Sequence, residues 1–282
     1  MDDTSSNSDE QAARWNTTAG WAWVDAQSLL DQMMKGLEDH LVDSVVAGPG
    51  RRVLDVGCGT GGTTLAVARR LGSEGRCVGA DVSEPMIAAA RARAERDCIP
   101  ARFILADVEN HPFEPASVDT IISRFGIMFF NDPIKAFANM RRASTDDGTL
   151  HVIAWRSAAE NPFMTTGLRE AAPLLPNLPA PRADGPGQFS FADPERVAAI
   201  LDSGGWADVD LQPIDVECTL PEAELTRFIT ELGPVGMALQ GSDESTRIHV
   251  VEAVRPAFDD FVHGREVRFT AACWMASAQA SR

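Results

Sequence analysis

The 282-residue chain has no tyrosine, so no phenolic base or phenolic oxyanion donor is available to it. It is also poor in positive charge: 25 Lys and Arg stand against 41 Asp and Glu, a formal net charge of −16. A nucleic-acid enzyme needs a cationic path for phosphates. Arg51-Arg52, Arg69-Arg70 and Arg141-Arg142 are isolated pairs that make no such path, so nucleic acid is not an expected partner. Cysteine is sparse and odd in number (Cys58, Cys77, Cys98, Cys218 and Cys273) and forms no CxxC pair. That pattern fits free thiols in a reducing compartment and excludes a disulfide framework or a zinc site, so no metal is expected. Long apolar runs are missing too, and none reaches the length of a membrane span. The stretch from Met1 to Gln11 is polar and acidic, unlike a signal or transit peptide. The expectation is a cytoplasmic globular protein with no membrane span.

What the chain does have is 44% apolar residues, enough for a sizeable core. Residues 1–13 read as disordered. Over 21–47, Trp21, Val24, Leu29, Leu30, Met33, Met34, Leu37, Leu41 and Val45 recur at helical spacing, up to a stop at Gly48-Pro49-Gly50. Strand and helix signals then alternate. The strand 52–56 precedes the helix 62–71, and the strand 77–80 precedes the helix 84–97, with Ser83 as cap and Pro85 in the first turn. Residues 102–106, 118–123 and 149–155 read as further strands, with a helix opened by Asp132-Pro133 before the last of them. This rhythm predicts a doubly wound, mostly parallel α/β sheet with right-handed crossovers.

Beyond residue 156 the rhythm breaks. A Pro/Gly-rich stretch around one short helix (Pro173, Pro176, Pro179, Pro181, Gly185, Pro186, Gly187) leads to a helix from Asp193-Pro194 and a strand at 208–214. Two helical stretches, near 222–239 and 243–262, precede a closing strand at 266–276. The expected organisation is an N-terminal segment and lid helix (1–47), a Rossmann-like core (48–214) and a helical cap insertion (215–265). The final strand of a seven-stranded sheet (266–282) completes it. The cap is expected over the carboxyl edge of the sheet.

The densest chemical signal is Val53-Leu54-Asp55-Val56-Gly57-Cys58-Gly59-Thr60-Gly61-Gly62. Its glycines permit positive φ and close approach of backbone to a ligand. Gly57-x-Gly59-x-x-Gly62 alone would also suit a dinucleotide, so the glycines leave the cofactor open. Asp55 weighs against NAD: a carboxylate there would repel a pyrophosphate but attract the α-amino group of a methionine moiety. Asp81, ending the second strand, can accept both hydroxyls of a ribose, and Val82 and Met86 can pack on an adenine face. Asp107 follows the third strand.

These residues resemble motif I and the following strand ends of class I S-adenosylmethionine-dependent methyltransferases. The resemblance covers about residues 50–156 and is nearest to the ubiquinone/menaquinone C-methyltransferase type. It implies S-adenosylmethionine as cofactor. Gly57, Cys58, Gly59 and Gly61 would face it, Asp55 the amino end, Asp81 the ribose, and Asp107 and the Val108 N–H the adenine. The segment Val118–Gly126 matches the family's fourth motif, which places Ser123 and Arg124 beside the methionine part and the transferable methyl. The Asn/Asp-Pro-Pro-Tyr/Phe motif of DNA and protein-glutamine methyltransferases is absent there. The loop Phe125, Met128, Phe129, Phe130 reads either as core or as an acceptor wall. Arg124, Phe129, Trp155 and Asn161 are the candidate acceptor-binding residues. Trp15, Trp21 and Trp23, around Gly20, read either as helix packing or as a lid that holds a sulfonium by cation–π attraction.

The acceptor expected from this pattern is a small apolar or aromatic molecule with an oxygen or carbon nucleophile. No catalytic base is assigned among His111, His151, His249, His263 and Glu160. The alternatives are an NAD-dependent oxidoreductase and a non-catalytic S-adenosylmethionine-binding protein.

Overall fold

The protein is described from a computed structural model over residues 13, 15–46, 48, 50–176, 178 and 185–280. The expected disorder at the N-terminus and the turns at Pro49, Pro179 and Pro181 fall outside these residues, save Ala13.

The amphipathic N-terminal run does not form one helix. It is divided into α1 (Thr18–Asp25), α2 (Gln27–Met33) and α3 (Lys35–Ser44). At Ala26 and Met34 ψ opens to 6° and 14°, while the hydrogen bonds Leu30 N to Ala26 O and Glu38 N to Met34 O carry the chain through each bend. Leu37 and Leu41, fully buried, press α3 against the sheet and the first βα helix. Most of this run is therefore core.

The sheet follows. β1 (Arg52–Val56), α4 (Gly62–Leu71), β2 (Arg76–Asp81), α5 (Glu84–Arg96) and β3 (Ala101–Leu105) make the first half. β4 (Val118–Arg124), α6 (Pro133–Ala143), β5 (Ser144–Trp155), α7 (Pro162–Ala171), α8 (Pro194–Ser203) and β6 (Trp206–Pro221) continue the second. After the helices α9 (Leu225–Glu231), α10 (Gly233–Ala238) and α11 (Glu244–Val254), a two-residue strand β7 (Val262–His263) turns into β8 (Glu266–Ala280). The order is β3-β2-β1-β4-β5-β8-β6, with β7 paired only to β8. β8 is antiparallel to both neighbours and the other pairs are parallel. Right-handed crossovers put α4 and α5 on one face and α6 and α8 on the other, because the direction of travel reverses between β1 and β4. That reversal opens a crevice at the carboxyl ends of β1 and β4.

Capping explains where the helices start. Ser83 Oγ accepts from Met86 N before Pro85, Asp132 accepts from Lys135 N before Pro133, and Asp193 accepts from Glu195 N and Arg196 N. β6 and β8 are longer than their sequence patterns suggested. Trp155 ends β5 opposite Cys273, which faces Ile214. Residues 215–221 and 266–272 thus continue as a two-stranded ribbon beyond the carboxyl edge. The inserted helices sit at that end, where α10 and α11 pack on α7, the helix that leaves β5.

The crevice is narrow because two backbones touch across it. Gly57 has φ +67°, and a Cβ there would lie 2.5 Å from Gly126 Cα. A Cβ on Gly126 would meet Val56 O at 2.6 Å. Gly126→Ala is therefore expected to lower unfolding free energy by about 1–3 kcal/mol, read as a lower midpoint in urea at unchanged slope. Wild-type stability in that variant would contradict the close approach.

Candidate active site

A cleft opens at the carboxyl ends of β1 to β4, the position where open α/β sheets bind their ligands. Its floor is the turn after β1, where Gly57 and Gly59 line the space. A Cβ on Gly59 would have only Met86 Sδ nearby, at 3.5 Å, so this backbone faces the cleft. Asp81 stands beside it. Its Oδ2 accepts Gly59 N at 2.8 Å and its Oδ1 accepts Ser83 N at 2.9 Å. A carboxylate offers about four lone-pair sites, so both oxygens keep an acceptor position for a vicinal diol. Burial raises the Asp81 carboxyl, opposed by these N–H donors.

Beyond Asp81 the wall is apolar, formed by Val82, Met86, Ala106 and Val108. Asp107 lies two residues past the end of β3. Its Oδ1 accepts Glu109 N at 3.0 Å and its Oδ2 accepts Asn110 Nδ2 at 2.5 Å. Glu109, buried and also on the wall, accepts Asn131 N at 2.7 Å and Asp132 N at 3.2 Å. It thereby ties this corner to the loop after β4. Burial raises its carboxyl as well.

The opposite wall is aromatic. Phe125, Phe129 and Phe130 face the cleft, whereas Ile127 and Met128 are buried beneath them; the loop is both core and wall. Phe125 adopts φ +68° and stacks on Trp155 at 4.6 Å with the rings parallel. Trp15 and Trp23 roof the cleft, with Trp15 edge-on to Phe129 at 5.4 Å and to Trp23 at 5.9 Å. The roof is fastened to the start of α5. Ser83 Oγ donates to Trp15 O at 2.7 Å, Asn16 Nδ2 donates to Val82 O at 2.8 Å, and Glu84 N donates to Asn16 Oδ1 at 2.7 Å. Gly20 permits this docking, since a Cβ there would run into the Trp15 carbonyl. Trp21 points away and is 56% exposed. Arg124 is the cation on the wall among the described residues, with one hydrogen bond, to Met34 O at 3.3 Å.

Several residues expected in the site lie behind it. Asp55 is buried and accepts Thr64 Oγ1 at 2.6 Å. Burial pushes its carboxyl up to about 7, against the pull of Thr64 and Arg124. Cys58 turns its thiol toward Gly79, where a Cβ would meet Sγ at 2.8 Å, and burial holds that thiol well above its usual range. Gly61 caps α4 with φ +84° and packs on Phe103. Ser123 is buried and donates to Val56 O at 2.7 Å, joining β4 to β1. Trp155 is buried behind Phe125. Asn161 is also buried, and its amide closes a two-way bond with the Ala272 backbone. These last three brace the walls and do not line them: Ser123 and Asn161 spend their polar groups on strand backbone, and Trp155 spends its ring on Phe125.

The sequence and fold match known proteins. The family described as "Methyltransferase domain" matches residues 53–148. Nocamycin O-methyltransferase of Saccharothrix syringae is 31% identical over 66% of this chain and 69% of its own length. The class I S-adenosylmethionine-dependent methyltransferases include this chain. Demethylmenaquinone methyltransferase of Renibacterium salmoninarum is 29% identical to this methyltransferase over 62% of the chain and 74% of its own. The YcgJ protein of Bacillus subtilis shares the fold, with a TM-score of 0.57 at 18% identity over 88% of this chain and 99% of that one. The cofactor of the methyltransferase is S-adenosylmethionine, and the oxidoreductase alternative is not favoured. The cleft suits that cofactor on its own chemistry: acceptors for a diol, an apolar slot for a planar base, and bare backbone at the turn between them.

The roof contact Asn16 and the tie Glu109 were not found by sequence reasoning. Glu109 lies only two residues past Asp107, and that spacing from a strand-end carboxylate was the available signal. Asp81 is the proposed ribose ligand. In calorimetry, Asp81→Ala is expected to weaken S-adenosylhomocysteine by at least ~1.5 kcal/mol, about tenfold; unchanged affinity would remove that role.

Proposed function

We propose that this methyltransferase acts on an oxygen or carbon nucleophile of a small, apolar or aromatic acceptor. The observation that carries this reading is the wall of Trp15, Trp23, Phe125 and Phe129 with Arg124 beside them. An aromatic wall holds a planar apolar body by area and ring geometry. A guanidinium with several unused donors favours an acceptor oxygen bearing negative charge. The relatives named above are an O-methyltransferase and a quinone-pathway methyltransferase, which agrees with either nucleophile.

S-adenosylmethionine supplies a methyl group already activated on a sulfonium. The protein's part is alignment and exclusion of water, and alignment can contribute on the order of 7–11 kcal/mol. In this reading Asp81 holds the ribose, Val82, Met86 and Val108 flank the adenine, and Asp107 receives its amino group. Asp55 attracts the ammonium from beneath the turn, and Trp15 to Asp25 form the lid. The segment 215–265 caps the acceptor side. None of His111, His151, His249, His263 and Glu160 lies on the cleft wall. Burial within β5 lowers the His151 imidazole below its ordinary range. Glu160 caps a short turn, its carboxyl kept low by the Ser157 hydroxyl.

Radiolabelled methyl transfer into small-molecule fractions tests the activity. Arg124→Met is expected to cut turnover of the true acceptor at least ~tenfold while leaving S-adenosylhomocysteine affinity within about threefold. Equal turnover by that variant would sink the acceptor assignment.

The raised Asp55 carboxyl also gives a pH dependence. The folded value of about 7 exceeds the ordinary one, so its contribution to stability is complete at low pH and is lost as pH rises through 7. An incoming ammonium reverses the preference and drives the proton off. S-adenosylhomocysteine should bind more tightly at about pH 7.5 than at about pH 6, since a free α-amino group keeps its proton to ~7.7–8.0. Buffer-dependent calorimetry should show proton release near pH 6.5 that vanishes in Asp55→Asn. Release persisting in that variant would assign the proton elsewhere.

A further inference from the structure

Behind the turn after β1, on the side away from the cleft, three segments distant in sequence meet at one guanidinium. Arg93 on α5 donates through Nη2 to Asp31 Oδ2 on α2 at 2.6 Å. Its Nη1 donates to Thr60 O at 2.7 Å and to Thr60 Oγ1 at 3.3 Å. Gln27 Nε2 steadies the same Asp31 oxygen at 2.8 Å. The other Asp31 oxygen stands against the start of α4, where a Cβ on Gly62 would lie 2.7 Å from it. Only glycine at position 62 leaves room for that carboxylate. The pair is mostly buried, with side-chain exposures of 13% for Arg93 and 25% for Asp31.

This is a costly way to gain stability. Arg93 Nε is buried with no hydrogen-bond partner, and a partly desolvated ion pair returns little net stability over an apolar contact. What the arrangement does supply is fixed geometry. One rigid fork sets the carbonyl of Thr60, and so the turn whose Gly57 and Gly59 face the cleft. The same fork sets Asp31, and so the helix that carries α1 at one end and the Met34 carbonyl bonded to Arg124 at the other.

We propose that Arg93 is a positioning residue: its clamp on Asp31 and Thr60 closes the protein around the methionine half of S-adenosylmethionine and slows the departure of S-adenosylhomocysteine. The proposal rests on the cofactor orientation given above, with adenosine toward Asp81 and Asp107. At the adenosine end Asp107 holds Glu109 N and Asn110 Nδ2, and Asp81 holds Ser83 N beside its bond to Gly59 N; Arg93 makes none of these bonds.

That division provides the test. Binding of S-adenosylhomocysteine and of adenosine is measured by calorimetry on the full chain, wild type and Arg93→Met. Stopped-flow tryptophan fluorescence follows dissociation. Loss of the clamp is expected to weaken S-adenosylhomocysteine by about tenfold or more, mostly through faster dissociation, and adenosine by less than about twofold. A merely structural residue would lower the melting temperature and weaken both ligands alike, or neither; either result overturns the proposal. Should Arg93→Met fail to fold, Asp31→Asn, which leaves the Thr60 bonds intact, carries the same comparison. The double variant Asp31→Asn/Arg93→Met should lose no more than Arg93→Met alone, because the two residues act as one unit. Additive losses would break the pairing. Asp81→Ala reports on the cofactor orientation separately, since it should weaken adenosine as much as S-adenosylhomocysteine.

Discussion

The carboxylates at the carboxyl edge of the sheet are fastened to backbone N–H groups, and the rest of the site depends on those bonds. Asp81 takes the N–H of Gly59 and of Ser83, which locks the turn after β1 to the start of α5. Asp107 takes the N–H of Glu109, and Glu109 takes those of Asn131 and Asp132. The chain of contacts thus runs from β1 through β2 and β3 to the loop after β4. Each bond pairs an ionisable group with a donor that would otherwise be stranded at a loop. A cleft built this way meets its ligand with the acceptors already aimed, so little ordering remains to be done on binding.

The same edge carries strain that neighbouring contacts hold in place. Phe125 sits at φ +68°, a conformation that costs a bulky residue on the order of 1–3 kcal/mol. It persists because its N–H donates to Ile153 O at 2.9 Å, its ring lies flat on the buried Trp155, and the next residue, Gly126, is pinned against Gly57. Trp155 and Ser123 therefore reach the site indirectly. Trp155 sets the plane of a wall residue, and Ser123 sets the spacing of the two strands whose ends form the crevice.

Much of this was legible in the sequence. The alternation of short apolar strands with capped helices gives the order of elements, and an acidic residue at or near the end of each of β1, β2 and β3 marks the binding edge. What was not legible is facing. A residue next to a strand end can point into the cleft or back into the sheet, and one-dimensional spacing does not distinguish the two. Asn161 illustrates this: its position past β5 suggested the cleft, but its amide satisfies the backbone of Ala272, a residue 111 positions away. Arg93 and Asp31 escaped for the same reason. Each looks like an ordinary polar residue on an amphipathic helix, and their meaning comes only from a partner 62 positions distant. The single helix expected over 21–47 failed differently. Its periodicity was real, but bends at Ala26 and Met34 let one apolar stripe serve two surfaces.

That bent stripe bears on how a ligand enters. In α2 and α3, Leu29, Leu30, Met33, Leu37 and Leu41 are all buried, and each is worth about 1.5–3 kcal/mol in removal from water. Lifting those helices would amount to unfolding the sheet's cover. In α1 only Ala19 and Gly20 are buried, and Trp21 and Trp23 are exposed. What holds α1 and the residues before it is packing on the start of α5, the polar bonds of Asn16 and Ser83, and the edge contacts of Trp15. Hydrogen bonds of that kind contribute about 0.5–1.5 kcal/mol each, far less than the stripe behind them. α1 is therefore the less firmly buried part of this segment, while α2 is tied through Asp31 to Arg93. The ion pair lies on the well-buried side of the junction between them.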